Sequence, residues 1–226
     1  MMMLSMCNKV VCFDLDDTLY KEIDFLKSGF RKVGELVEKR FHYDAREVYD
    51  KLYSWYKQGE NPFARLNGYY GLDNPVEDYL NVYRFHEPTI KLTDGAEDVL
   101  NELAHRGVII GMITDGRTIS QKNKINALGL ERWFDEKNII ISEEFGSEKT
   151  DEHNFKYFME SYPNGSYCYV GDNPKKDFVV PNKLGWQTIM IKDNGQNIHK
   201  QNLDLLNDVM PKYMIKNIVE LLDYIN

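Results

Sequence analysis

The segment Phe13-Asp14-Leu15-Asp16-Asp17-Thr18-Leu19 is the most informative part of the sequence, and it follows the apolar run Val10-Val11-Cys12. The apolar run predicts a buried strand that opens at its carboxyl end onto three closely spaced carboxylates. Carboxylates packed this closely raise one another's pKa unless a cation lies among them. Such oxygen ligands suit Mg²⁺, and open α/β sheets bind ligands just beyond the carboxyl ends of their strands. Taken alone, the pattern is equally typical of a turn followed by an N-cap.

Three later strand-like runs lead into loops that carry groups suited to the same site. Residues 108–113 end in Thr114-Asp115-Gly116-Arg117, where a hydroxyl and backbone N–H groups can point at one anion. Residues 138–142 lead into a loop that contains Lys149, and residues 167–170 end in Gly171-Asp172-Asn173-Pro174-Lys175-Lys176-Asp177. The four loops therefore supply, in order, an acid pair, a hydroxyl, a lysine and a second acid pair.

This order of loops resembles the motifs of the haloacid dehalogenase-like hydrolase superfamily, the aspartate-nucleophile phosphohydrolases, and in particular its phosphatases with a helical cap. The resemblance covers nearly the whole chain, from about Val10 to the last helix. It implies an α/β fold, with a Rossmann-like parallel sheet core flanked by helices and an inserted helical-bundle cap domain. One departure is visible: Thr150 follows Lys149 where the family commonly has Pro, so the geometry of the lysine loop is open.

The resemblance implies that the first acid pair carries the chemistry. Asp14 is expected to be the nucleophile, and Asp16 is expected to protonate the leaving oxygen and then to take a proton from the attacking water. Asp14, Asp172 and the backbone carbonyl of Asp16 are the expected Mg²⁺ ligands. Asp16 also favours phosphoryl transfer over cleavage of a carbon–halogen bond, because the dehalogenase branch typically lacks this carboxylate.

The remaining loop residues are expected to hold the phosphoryl group. Thr114 would bind a phosphate oxygen together with the backbone N–H of Asp115, and Lys149 would balance the charge that builds up in the transition state. Asp177 is expected to orient Lys149 or a metal-bound water, and Asn173 could serve either purpose.

Residues 20–90 interrupt the core and read as a helical cap. Leu26, Phe30, Val33 and Val37 repeat at helical spacing, and Asp44 is a plausible N-cap of the next helix. The predicted domains are therefore residues 7–19 with 91–226 for the hydrolase core and residues 20–90 for the cap. Apolar residues at helical spacing also predict a last helix over residues 212–225.

The resemblance implies that the cap sets substrate specificity, so four residues are candidates for substrate contact. They are Arg65, Tyr69 and Tyr70 in the cap and Arg117 just past Thr114. The alternative for the aromatic side chains is that they fill the core of the small bundle.

Composition limits the possible partners. The chain has 226 residues and a net charge of −8, which argues against binding nucleic acid. No apolar run approaches the roughly 20 residues that span a membrane, and the first residues lack the basic segment of a signal peptide. Three cysteines without paired spacing, Cys7, Cys12 and Cys168, predict a reducing compartment. We therefore expect a cytoplasmic protein that binds neither membranes nor nucleic acid.

Together these observations predict a Mg²⁺-dependent phosphatase that hydrolyses a small phosphorylated metabolite, a sugar phosphate or a nucleoside monophosphate, through an aspartyl-phosphate intermediate. One alternative is a phosphomutase that uses the same site. Another is a phospho-acceptor or binding module without turnover, although receiver domains are shorter and lack a helical insert. The physiological substrate and the oligomeric state stay open.

Overall fold

The computed structural model describes residues 8–204 and 209–225 of the chain. Cys7 and the methionines on which the expectation about a signal peptide rests lie outside the described residues.

The core is a parallel sheet whose strand order places the first strand in the middle. The strands are β1 (Lys9–Phe13), β2 (Ile109–Thr114), β3 (Ile139–Ile141), β4 (Ser166–Gly171), β5 (Gln187–Ile191) and β6 (Tyr213–Ile215). Within the described residues the order is β3-β2-β1-β4-β5-β6, and every neighbouring pair is parallel. Because the chain builds outward from β1 in both directions, β1 lies at the topological switch point where open α/β sheets bind ligands.

Helices cover both faces of the sheet and form the insert after β1. Those of the insert are α1 (Glu22–Phe41), α2 (Ala45–Lys57), α3 (Pro62–Tyr70) and α4 (Val76–Phe85). Those of the core are α5 (Ala96–His105), α6 (Thr118–Ala127), α7 (Ser142–Phe145), α8 (His153–Ser161), α9 (Pro174–Asp177) and α10 (Val179–Lys183). Short 3₁₀ segments occur at Leu130–Arg132, Glu136–Asn138 and Ile218–Asp223. The predicted fold class, a Rossmann-like α/β core with a helical insert, is confirmed.

The sheet is buried on both faces, as a parallel sheet requires. Along β1, Val11 and Phe13 join one apolar cluster, whereas Val10 and Cys12 join the cluster on the opposite face. Cys12 and Cys168 are buried free thiols, and in this environment they act as small apolar residues.

The insert is a four-helix bundle with its own apolar core. Helix α1 packs against α2 and α4, and its residues Phe30, Val33 and Val37 are fully or almost fully buried. Asp44 caps α2 by accepting the backbone N–H of Glu47 at 2.8 Å, as its sequence position predicts. The aromatic side chains that the sequence concentrates here mainly fill this core and pack against one another.

The end of the chain differs from the prediction of one helix over residues 212–225. Tyr213–Ile215 form the edge strand β6 beside β5, and only Ile218–Asp223 are helical, in a 3₁₀ segment. The prediction was wrong because a short apolar run suits a strand or a helix equally well by periodicity. Residues 213–215 form a strand because the edge of β5 would otherwise be open, and β6 pairs with its backbone groups.

None of the described helices is both long enough and apolar enough to cross a lipid bilayer.

Candidate active site

The loops that follow β1, β2 and β4 meet at the carboxyl edge of the sheet with the segment after β3 that carries Lys149, as the strand order requires. They enclose a pocket of about 310 Å³. Seven of the predicted site residues line it: Asp14, Asp16, Asp115, Lys149, Asp172, Asn173 and Asp177.

The centre of the pocket is a buried lysine between two carboxylates. The ammonium group of Lys149 lies 2.5 Å from Oδ1 of Asp14 and 3.0 Å from Oδ1 of Asp177. The other oxygen of Asp177 accepts the backbone N–H groups of Asp172 and Asn173, at 3.1 and 2.8 Å. Asp177 therefore has donors on both oxygens, and it orients Lys149 toward Asp14.

A glycine makes room for this arrangement. A Cβ atom on Gly171, at the end of β4, would lie 2.8 Å from Cγ of Asp177. Any other residue at this position would push the Asp177 carboxylate away from Lys149.

The carboxylates of this pocket fit a divalent cation. One oxygen each of Asp14, Asp172 and Asp177 lies within 4.8 Å of the others. Because Asp177 already has its donors, Asp14 and Asp172 are the pair with capacity for a metal, and Mg²⁺ usually takes only one or two carboxylates together with water.

Burial raises the pKa of Asp14 to about 7, and the charges of Asp177 and Asp16 add to this against the opposing effect of Lys149. Burial, with the charges of Asp177 and Asp14, raises the pKa of Asp172 to about 9. Two adjacent carboxylates with raised pKa values are both ionised only when a cation lies beside them.

Asp16 is held by three side chains that the sequence interpretation overlooked. The ammonium group of Lys124 lies 2.7 and 2.9 Å from its two oxygens, Gln121 donates at 3.0 Å, and the Tyr20 hydroxyl donates as well. Burial alone would raise the pKa of Asp16, but the charge of Lys124 and these hydrogen bonds outweigh it and hold the pKa below its ordinary value. The signal was present in α6, whose buried face carries Gln121 and Lys124 one turn apart.

Asp115 shapes the loops around the phosphate-binding position. Its Oδ1 accepts the backbone N–H of Lys149 at 3.0 Å, and Lys176 lies 3.3 Å from Oδ2. This hydrogen bond fixes the lysine loop at the point where the family commonly uses Pro and this chain has Thr150. Thr114 is buried and is not among the residues that line the pocket, and its hydroxyl accepts a hydrogen bond from Gln121 at 2.6 Å.

A model of the haloacid dehalogenase-like hydrolases matches residues 11–191 of the chain. The chain belongs to this hydrolase family. Similar proteins include the glyceraldehyde 3-phosphate phosphatase of Methanopyrus kandleri, 30% identical over 234 residues that cover 96% of this chain and 97% of that protein. The glyceraldehyde 3-phosphate phosphatase of Methanocaldococcus jannaschii is 28% identical over 228 residues, with 96% of each chain covered. The prediction of a phosphatase from this family is confirmed by these relatives.

The fold of the hydrolase has close counterparts among solved structures. A haloacid dehalogenase-like hydrolase of Bacillus subtilis, crystallised with magnesium, superposes with a TM-score of 0.64 and covers 97% of this chain and 99% of that chain. The two sequences are 21% identical, so this likeness bears on the fold.

Asp17 also lines the pocket of the hydrolase, and its contacts shape the first loop. Its backbone φ is +55°, and its carboxylate accepts the backbone N–H groups of Glu22 and Ile198 at 3.0 and 3.1 Å. These two bonds join the loop after β1 to the start of the cap and to a segment beyond β5.

Four predicted substrate contacts of the hydrolase lie away from this pocket. Arg65 forms an ion pair with Glu60 and lies over the ring of Trp55. Tyr69 is half exposed and packs edge-on against Trp55, and the Tyr70 hydroxyl donates to Glu47. Arg117 lines a neighbouring surface pocket that shares Asp115 and Lys176 with the active site.

Proposed function

We propose that the chain is a Mg²⁺-dependent phosphatase that hydrolyses a small phosphorylated sugar through an aspartyl-phosphate on Asp14. The observation that carries the proposal is the buried ammonium group of Lys149, paired with Asp14 and Asp177 beside Asp172. A carboxylate attacks phosphorus only when positive charge offsets the repulsion between the two anions. The cluster supplies one fixed cation and the ligands for a second.

The first step transfers the phosphoryl group from the sugar to Asp14. An oxygen of Asp14 forms a bond to phosphorus while the bond between phosphorus and the sugar oxygen breaks. That sugar oxygen takes a proton from Asp16. Lys149 and Thr114 bind the phosphoryl oxygens, on which charge builds up.

The second step returns the enzyme to its starting state. Asp16, now a carboxylate, takes a proton from a water molecule, and the water oxygen attacks phosphorus. The bond between phosphorus and Asp14 breaks, and inorganic phosphate leaves. The pairing of Asp16 with Lys124 favours the ionised form of Asp16, which this second step needs, whereas the first step needs the protonated form and works against this pairing.

Asp14, Asp172 and the backbone carbonyl of Asp16 would hold the Mg²⁺ ion. When bound there, the ion would supply positive charge beside the transferring phosphoryl group.

Two observations support a small substrate. The pocket of about 310 Å³ is near the lower limit of the roughly 300–1,000 Å³ typical of ligand sites. The similar proteins named above are glyceraldehyde 3-phosphate phosphatases. A triose phosphate therefore fits better than a nucleoside monophosphate, for which the described cap offers no aromatic side chain in the lining of this pocket.

The test is release of inorganic phosphate from a panel of substrates with Mg²⁺ and with EDTA. The panel contains glyceraldehyde 3-phosphate, dihydroxyacetone phosphate, a hexose phosphate and a nucleoside monophosphate. We expect turnover with Mg²⁺ that is highest on the triose phosphates and lost in Asp14→Asn. The exposed Asp135→Asn serves as the matched control and should keep full activity.

Other outcomes would point to the alternatives. A requirement for a sugar bisphosphate activator would indicate a phosphomutase. A stable phosphoenzyme without phosphate release, from well-folded wild type, would indicate a phospho-acceptor module. Equal activity of Asp14→Asn and wild type would contradict the assignment of the nucleophile.

A further inference from the structure

The loop that follows β5 reaches back over the active site. Residues 193–201 begin with a tight turn, in which Oδ1 of Asp193 accepts the backbone N–H groups of Gly195, Gln196 and Asn197 at 2.7 to 3.0 Å. At the other end, the Gln201 amide donates to the backbone carbonyl oxygens of Asp172 and Ile191, each at 2.7 Å, and accepts the N–H of Asp193 at 2.9 Å. The loop is therefore anchored at both ends.

Between these anchors, the side chain of Asn197 touches a proposed metal ligand. Its Nδ2 donates to Oδ2 of Asp172 at 2.8 Å. Its Oδ1 accepts from the ammonium group of Lys21 at 2.8 Å. Lys21 precedes the first helix of the cap, so this chain of contacts runs from the cap linker to the metal site.

The two neighbours determine which way the amide points. A lysine ammonium group can only donate, so it requires the amide oxygen. The amide nitrogen is then directed at Asp172, whose carboxylate can accept. Without Lys21 the amide could rotate by half a turn and present its oxygen to the carboxylate, which repels it.

We propose that Asn197 is a positioning residue for the metal site: it fixes the orientation of the Asp172 carboxylate, and Lys21 fixes the orientation of Asn197. The proposal rests on the proposed function, because it requires that Asp172 bind the metal. A hydrogen bond to Oδ2 removes rotational freedom from Asp172 and leaves Oδ1 for the cation. Partners of this kind typically contribute 10- to 100-fold to metal affinity.

The same loop connects the metal site with the cap. The N–H of Ile198 donates to Asp17, and the Ile198 side chain packs against the apolar core of the cap. Asn197 therefore lies in a segment that is held by the core on one side and by the cap on the other, which keeps its side chain in place.

The experiment is direct measurement of Mg²⁺ binding by titration calorimetry, with no substrate present. The variants are Asn197→Leu, which keeps the shape of the side chain but not its hydrogen bonds, and Lys21→Met. Gln196→Ala is the matched control, because its exposed side chain lies in the same loop and only its backbone makes a loop contact. Asp172→Ala defines the loss of the ligand itself, and thermal unfolding in EDTA reports the stability of each metal-free protein.

We expect Asn197→Leu to weaken Mg²⁺ binding by about 10- to 100-fold, Lys21→Met to weaken it less, and Gln196→Ala to leave it unchanged. Unchanged affinity in both Asn197→Leu and Lys21→Met would overturn the proposal while the metal site itself stands. If Asn197→Leu does not fold, Lys21→Met decides alone, since the ammonium group of Lys21 donates to the Asn197 amide. If wild type binds no Mg²⁺, or Asp172→Ala binds as tightly as wild type, the metal part of the proposed function fails first.

Discussion

Replacing Lys149 by Met should reduce both stability and turnover. The substitution keeps most of the apolar side chain but removes the charge, so Asp14 and Asp177 lose an ion pair each, at 2.5 and 3.0 Å, in a site where Lys149 is only 4% exposed. Removing one partner of a buried ion pair costs about 3–5 kcal/mol of unfolding free energy. In a chain of this length, that loss lowers the melting temperature by about 6–20 °C.

The same charge should matter for catalysis. Lys149 is the fixed cation beside Asp14, the proposed nucleophile, and removal of one such electrostatic contact typically lowers kcat by about 10²–10³. Calorimetric unfolding in EDTA measures the first effect, and phosphate release at saturating substrate and Mg²⁺ measures the second. Measuring phosphate release below the melting temperature of the variant separates the loss of turnover from the loss of stability.

An exposed lysine provides the control. Lys183 pairs with Glu152 at 2.5 Å, but its side chain is 72% exposed, and such surface pairs often contribute nothing measurable. Lys183→Met should therefore resemble wild type in both assays. If Lys149→Met lost no more stability than Lys183→Met, the buried ion pairs would not have the role argued here. If its kcat stayed within tenfold of wild type, Lys149 would not stabilise the transferring phosphoryl group.

Three further predictions follow from individual contacts. Lys124→Met should lower kcat on glyceraldehyde 3-phosphate by about 10²-fold, because Asp16 is then misplaced. The loss of kcat should be smaller on p-nitrophenyl phosphate, whose leaving group needs little protonation. Equal losses on both substrates would contradict a role of Lys124 through Asp16. Gly171→Ala should remove most of the turnover while the protein still folds, because the new Cβ displaces Asp177. A Cβ at Gly68 meets no atom within 4 Å. Gly68→Ala should therefore retain activity and gain about 0.5–1 kcal/mol of stability. Tyr69→Ala should leave KM unchanged, since Tyr69 packs on Trp55 away from the pocket; a several-fold rise in KM would show that the cap brings this residue to the substrate.

Much of the candidate site was predictable because it depends on where strands end. Asp14, Thr114 and Asp172 each follow a buried apolar run, and the carboxyl ends of parallel strands lie at one edge of the sheet. The prediction needed only the order of the loops and no knowledge of helix packing. The helical insert was equally visible, since its apolar spacing and the Asp44 cap are local signals.

The partners of these residues were not predictable in the same way. Lys124 reaches Asp16 across 108 positions of sequence, and Lys21 reaches Asn197 across 176. A lysine or an asparagine in a helix or loop is normally solvated, and no local pattern marks the ones that a distant segment buries. The proposed substrate contacts Tyr69 and Tyr70 do not line the pocket in this structure. The sequence indicates that they are on a helix, but it does not show which face of the bundle they occupy.

The family, the parallel sheet and the loops that carry the proposed reacting groups can be inferred from the sequence alone, because each follows from local apolar patterns and from the residues at strand ends. The packed fold was needed to show that residues 213–215 form an edge strand, that Lys124 pairs with Asp16, and that Asn197 donates to Asp172. These depend on which backbone edges and charges remain unpaired after the core has formed. Such unpaired groups are a property of the assembled fold, so no segment shows them on its own.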